Sequence, residues 1–148
     1  MTTANHPATH PDLRPRPDAP EPTSLVVEAW PDPLVENDPR SHPTASSETL
    51  LWWTPVLGPT ATLMAHRFAT ALAHQPRLQI TTDDVARTFG MGNSNGRVRA
   101  TLARLERFDV VTTHAQSVYL RMALPPLTSR HLEQLPGYLR DLYQQRHR

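Results

Sequence analysis

The sequence contains no cysteine and no lysine. Without cysteine the chain can form no disulfide, no thiolate metal site and no cysteine nucleophile. All 15 basic side chains are therefore arginines, which together with the abundant alanine and proline indicates a GC-rich bacterial genome. The most apolar stretch, residues 50–65, is interrupted by Pro55, Gly58 and Pro59, so it falls short of the ~20 residues of a membrane-spanning helix. The N-terminus lacks the basic-then-apolar pattern of a secretory signal, and we expect a cytoplasmic protein.

The net charge of +1 conceals two halves of opposite sign. Residues 1–48 hold three arginines against eight acidic residues, a net charge of −5. Residues 49–148 hold twelve arginines against six acidic residues, a net charge of +6. The chain is therefore a basic domain that carries an acidic arm.

The acidic arm, residues 1–48, also holds ten of the 16 prolines. We expect it to be disordered, because such a segment cannot bury enough apolar surface to offset the entropy of ordering. Two apolar islands interrupt it, Leu25 to Trp30 and Leu34-Val35. Three interpretations remain open for these islands: they are incidental, they dock a protein partner, or they fold back on the basic domain as a competitor.

The basic domain begins with an amphipathic helix, predicted over residues 60–74 by the apolar spacing of Met64, Phe68, Ala71 and Leu72. Pro59 suits its first position, where a missing N–H costs nothing. Upstream, residues 50–53 are expected to form an extended segment whose tryptophans pack on the core. A membrane-interface or base-stacking role for these tryptophans is the alternative.

A second, short helix is predicted over residues 85–89. Thr81 and Asp84 have the spacing of a capping box before it, and Gly90 supplies the left-handed conformation that ends helices. Residues 77–80 before it suit a short strand. A polar turn follows over residues 91–96.

The next helix, predicted over residues 97–108, has an arginine-rich face. Val98, Leu102 and Leu105 define its inward side. The outward side and its flanks hold Ala100, Ala103, Arg97, Arg99, Arg104 and Arg107. One acid, Glu106, interrupts these arginines, whereas an ordinary solvated face mixes both signs. That ordinary solvated face is nevertheless the alternative interpretation.

After this helix, Asp109 is expected to turn the chain in a left-handed conformation. Residues 110–113 and 117–122 then predict a hairpin, in which Arg121 faces solvent or phosphate. Thr128 caps a further helix and Pro136 opens the last one. Leucines at 132, 135, 139 and 142 form an apolar seam that packs either in the same chain or on a second copy.

The run from Val98 to Val111 resembles the recognition helix of MarR-type regulators and related winged-helix proteins. That pattern ends with a Leu-Glu pair, then a turn residue, then two residues that favour β-strands. Here these are Leu105-Glu106, Asp109 and Val110-Val111. The chain also resembles small winged-helix proteins of GC-rich actinobacteria. Two departures are a turn about two residues longer than usual and Asp109 in place of glycine.

The resemblance implies an α+β, mostly α fold: a winged helix-turn-helix in residues 49–148. The helix-turn-helix occupies about 81–108, the wing about 109–123 and C-terminal helices about 128–147. Residues at the recognition-helix N-terminus would read base edges or bind phosphate. The expected DNA-binding residues are Asn93, Ser94, Asn95, Arg97, Arg99, Ala100, Arg104, Arg107 and Arg121.

These patterns predict a sequence-specific DNA-binding protein, a transcriptional regulator whose partner is double-stranded DNA. A homodimer through the C-terminal helices is a further expectation. The alternative is a winged-helix adaptor that binds proteins without reading DNA, since fold alone does not settle function. We expect no enzyme: the sequence has no metal-ligand spacing, no glycine-rich phosphate loop and no nucleophile motif. No catalytic, cofactor-binding or metal-binding residues are assigned.

Overall fold

A computed structural model describes residues 23–147, and its fold is α+β with about half of these residues helical. The strands are β1 (Ser24–Trp30), β2 (His42–Pro43), β3 (Arg77–Thr81), β4 (Val111–His114), β5 (Ser117–Arg121) and β6 (Ala123–Leu124). The helices are α1 (Pro33–Glu36), α2 (Ser47–Trp52), α3 (Thr54–Leu57), α4 (Pro59–Leu72), α5 (Thr82–Thr88), α6 (Asn95–Arg107), α7 (Ser129–Gln134) and α8 (Gly137–Arg146).

The larger sheet has the strand order β3-β1-β5-β4, so the first strand of the described chain lies inside it. β1 runs antiparallel to β3 and parallel to β5, and β4 pairs with β5 as an antiparallel hairpin. Leu25 and Val27 of β1 point to the covered face with Val118 and Leu120 of β5, and all four are buried. β2 and β6 form a separate two-stranded sheet.

This central strand corrects the expectation that residues 1–48 are disordered. The prediction is wrong for residues 23–48, which contain β1, α1, β2 and the start of α2. The apolar island at Leu25 is a sheet strand, because its alternating side chains complete an apolar face that β3 and β5 leave incomplete. For residues 1–22 the prediction concerns positions outside the described residues.

The core lies between the sheet and α4. Met64 and Phe68 of α4 are buried as the helical spacing predicts, and Pro59 occupies the start of the helix. Trp52 and Trp53 are 0% and 1% exposed, which confirms that they are core residues. The extended segment expected there is wrong, however: residues 47–52 form α2, so the tryptophans enter the core from a helix and its end.

The α5–α6 unit follows the capping signals in the sequence. The Thr81 hydroxyl accepts a hydrogen bond from the Asp84 amide at 3.1 Å, and Gly90 has a φ of 70° after the end of α5. α6 begins at Asn95, two residues earlier than expected, because the Ser94 side chain caps it by accepting from Arg97 N at 3.2 Å. Val98, Leu102 and Leu105 are buried as predicted.

The chain leaves α6 through Asp109, whose φ of 58° confirms the left-handed turn. Thr128 caps α7 as predicted, with its hydroxyl accepting from the His131 amide. Leu135 and Leu139 of the leucine seam are 2% and 7% exposed within a single chain. The seam therefore packs largely on its own core. In the described part of the chain, every helix is too short or too polar to cross a membrane.

Candidate nucleic-acid interface

The outward face of α6 is the most basic surface of the candidate site. Val98, Leu102 and Leu105 anchor one side of the helix in the core, which fixes the opposite side toward solvent. The exposed residues of that opposite side are Gly96, Arg97, Arg99, Ala100, Ala103, Arg104 and Arg107. With four arginines and one glutamate between Asn95 and Arg107, the helix carries a net charge of +3.

Arg97 and Arg107 are exposed at the two ends of this face. Arg99 is also exposed and donates one hydrogen bond from Nη2 to Thr23 Oγ1 at 3.0 Å. Two small residues, Ala100 and Ala103, lie exposed between the arginines. Their lack of bulk would let a groove floor approach the helix backbone closely.

Arg104 also makes hydrogen bonds within the fold. Its Nε donates to the Leu57 carbonyl at 2.5 Å and its Nη2 to the Val56 carbonyl at 3.2 Å. These carbonyls belong to the last turn of α3, where backbone acceptors lack helical partners. The guanidinium also lies 5.5 Å from the centre of the Phe108 ring. Arg104 therefore ties α6 to α3, although it is still exposed.

The three polar residues expected at the N-terminus of α6 have different surroundings. Asn93 is exposed in the turn, and the Ser94 hydroxyl is occupied as the helix cap. Asn95 is only 8% exposed. The Asn95 side chain is turned into the protein, so it does not face solvent as a residue that reads base edges or binds phosphate would. Of the three, Asn93 is the one whose side chain faces solvent fully.

Arg121 contradicts the expectation that it faces solvent or phosphate. Its side chain is 15% exposed and forms an ion pair with Asp32, while its Nε donates to the Asp109 carbonyl at 2.6 Å. The guanidinium also stacks 4.1 Å from the centre of the Trp30 ring. Its hydrogen bond holds the pKa of the Asp32 carboxyl below its usual value. Arg121 thus joins β1 and α1 to the end of α6.

The α6 arginines differ in ion pairing from four of the eight other arginines in residues 23–147. Four arginines elsewhere pair with an acid: Arg40 with Asp38, Arg77 with Glu28, Arg87 with Asp83 and Arg121 with Asp32. Within residues 23–147 none of the four α6 arginines forms such a pair. Within residues 23–147, the positive charge of this face is therefore not neutralised by an acidic ion-pair partner.

Glu106, the acid on this helix, positions the β4–β5 hairpin. Its Oε1 accepts hydrogen bonds from the Thr113 amide at 3.0 Å and the Thr113 hydroxyl at 2.9 Å. The hairpin is thereby held beside α6. The sequence analysis missed this role of Glu106. The available signal was a single acid on an otherwise basic helix face, seven residues before a threonine in a predicted strand.

The hairpin tip carries no arginine. Its exposed residues are His114, Ala115 and Gln116, and Ala115 makes the turn with a φ of 54°. Because the Arg121 side chain points inward, the hairpin does not present this arginine for the expected phosphate contact. The candidate interface is consequently a single helix face beside a hairpin tip that carries no arginine.

Neither a family model, nor a curated protein, nor a solved structure matches this chain.

Proposed function

We propose that this chain is a winged helix-turn-helix protein that binds double-stranded DNA sequence-specifically as a transcriptional regulator, with α6 entering the major groove. The element order α4-β3-α5-α6-β4-β5 supports the assignment, since α5 and α6 follow each other across a six-residue turn (residues 89–94) and a hairpin comes next. β1 is an addition to that order. It occupies the position between β3 and β5 without disturbing the α5–α6 pair.

One observation carries the proposal: all four α6 arginines are exposed and have no acidic partner within the described residues. DNA phosphates would supply the missing negative charge, and protein–DNA affinity depends largely on such contacts. Arg97, Arg99 and Arg107 are the residues for this task. Asn93 and the small Ala100 are placed at or near the helix N-terminus, where side chains of groove helices meet base edges.

Salt-dependent binding to a duplex tests the proposal. If three or four arginines neutralise phosphates, log affinity should fall with log salt at a slope of roughly −3 to −4 for each bound chain. Arg107→Ala should flatten the slope by about one if the residue contacts phosphate. Arg87→Ala, which removes an arginine already paired with Asp83, is the matched control and should leave the slope unchanged. A folded chain without salt-dependent duplex binding contradicts the proposal.

A second candidate function, a protein-binding adaptor, is favoured by one feature outside α6. A groove of about 690 Å³ lies along α4 and the end of α5, where Leu63 is 48% exposed. Leu50 and Phe89 also line it, with Arg67 at its edge. Leu63→Asp should leave duplex binding intact. If the groove binds a protein partner, the same substitution should weaken the binding of that partner, and this result separates the two functions.

A further inference from the structure

A cavity of about 340 Å³ separates α6 from the β4–β5 hairpin and the start of β1. Its apolar surface comes from Leu25, Leu102, Ala103, Ala115 and Val118. Ligand sites occupy roughly 300–1,000 Å³ and combine apolar walls with a few placed polar groups. The cavity is therefore large enough for a small ligand and too small for a folded partner.

Two opposite charges line the α6 side of this cavity. Arg99 and Glu106 are seven residues apart, which places them on the same side of the helix and roughly 10.5 Å apart along its axis. Ala103 lies between them, so no bulky side chain separates the two charges. The Arg99 end is nearer the positive N-terminus of the helix, and the Glu106 end is nearer the negative C-terminus.

Both charged groups keep bonding capacity for a ligand. Arg99 uses Nη2 toward Thr23, and among residues 23–147 it has no acidic partner. Glu106 accepts both of its hydrogen bonds at Oε1, and Oε2 has no hydrogen-bond partner within the same residues. Thr113 holds the carboxylate from the hairpin side, so its position does not depend on a ligand.

We propose that this cavity binds a short apolar peptide, a dipeptide, whose free carboxylate meets Arg99 and whose free ammonium meets Glu106. The apolar side chains of the peptide would pack against Leu25, Leu102 and Val118. This site shares Arg99 with the proposed DNA-binding face, but peptide binding does not require DNA.

The separation of the two residues along α6 favours this ligand class. A free amino acid carries its ammonium and carboxylate on one carbon atom, so it spans much less of the ~10.5 Å between the two residues along the helix. Two residues in extended form span about 7 Å. The long Arg99 side chain can close the remaining distance, while Thr113 holds Glu106 in place. At about 340 Å³, the cavity has room for only a few residues of a peptide.

Calorimetry of the intact chain with leucyl-leucine as the probe tests the proposal. We expect a dissociation constant below about 1 mM, and at least tenfold weaker binding for free leucine and for the dipeptide blocked at both termini. Comparable binding of either compound overturns the proposal, and so does the absence of leucyl-leucine binding.

Three variants locate the site. Ala103→Leu should abolish binding by filling the cavity, whereas Ala73→Leu, the same change at an exposed position outside the cavity lining, should not. Glu106→Gln can still accept from Thr113 but lacks the charge, so it should weaken binding about tenfold while the melting temperature stays unchanged. Retained affinity in Ala103→Leu, with its fold intact by circular dichroism, refutes the location.

Discussion

At the scale of single residues, Arg107 and Arg121 carry the same charge in opposite surroundings. Arg107 is exposed and without an acidic partner among the described residues, whereas Arg121 is 15% exposed between Asp32, Trp30 and the Asp109 carbonyl. A charged hydrogen bond to a carbonyl stabilises the fold, and an exposed unpaired charge does not. The two arginines should therefore respond to substitution in different measurements.

We expect Arg121→Ala to lower the free energy of unfolding by about 1–3 kcal/mol, because the Asp109 carbonyl and the Trp30 ring lose their cationic partner. Urea denaturation followed by tryptophan fluorescence measures this change. The salt slope of duplex binding should stay the same, since Arg121 faces inward. A flattened slope with normal stability in Arg121→Ala would restore this residue as a phosphate contact.

The residues of α6 show how far sequence alone leads at this scale. Helical spacing located Val98, Leu102 and Leu105 inside and the arginines outside. The same spacing could not place Arg121, because alternation in a strand identifies its two faces without telling what covers each face. Asp32, which covers it, is 89 residues away in sequence. Asn95 was misplaced because Ser94, one residue earlier, is the cap.

At the scale of elements, β1 decides whether the larger sheet has a continuous face. Val27 is 0% exposed and pairs with Leu78 on one side and Val118 on the other. Leu34 belongs to the same acidic arm, only seven residues later, and is 89% exposed. These two apolar residues are thus a matched pair, one inside the fold and one outside.

Val27→Ala should lower the free energy of unfolding by roughly 1–3 kcal/mol, because it leaves a cavity in the centre of the sheet. Leu34→Ala should change it by less than about 0.5 kcal/mol. Chemical denaturation of both variants measures the difference. Removing residues 1–46 takes away β1 altogether, so we expect the cooperative transition to be lost. Equal stability of Val27→Ala and the unchanged chain is the contradicting result.

Elements with local signals were predictable, and elements defined by distant partners were not. Thr81, Gly90 and Thr128 act through hydrogen bonds or backbone conformations within a few residues, and each marks its helix correctly. β1 has no such local signal. Its proline-rich, acidic neighbours indicate disorder, and only strands about 50 and 90 residues later give Leu25 and Val27 a face to complete.

At the scale of the whole molecule, two histidines are shielded from water to different degrees: His42 is buried and His131 is partly buried. Burial lowers the pKa of His42, and the charge of His147 lowers it further. Its Nδ1 lies 4.0 Å from Glu48 Oε2, whose charge acts in the opposite direction. Burial likewise lowers the pKa of His131, whose ring packs against Trp53. In both cases the folded chain resists a proton that the unfolded chain accepts.

Stability should therefore fall as the pH drops below the ordinary histidine value of about 6.5. Above that pH the two histidines are neutral in both the folded and the unfolded chain, and the full stability is present. As the pH falls from about 6.5 toward the lower pKa of the folded state, the unfolded chain takes up protons first and stability is lost. Melting temperatures between about pH 7.5 and about pH 5.5 measure it. His42→Gln should reduce the difference, whereas His114→Gln, an exposed substitution in the hairpin, should not. An unchanged difference in His42→Gln rejects this origin.

The parallel pairing of β1 with β5 also dictates an order of events in time. Ribosomes release residues from the N-terminus at roughly 5–20 per second, so Val27 emerges long before its partner Val118 exists. Until then, β1 can pair only with β3, and its second edge stays open to other strands. Contacts between such distant positions also slow folding. The nascent chain thus spends several seconds with the apolar edge of β1 uncovered. The yield of folded protein in the cell should therefore depend on how quickly residues 117–121 are synthesised and pair with that edge.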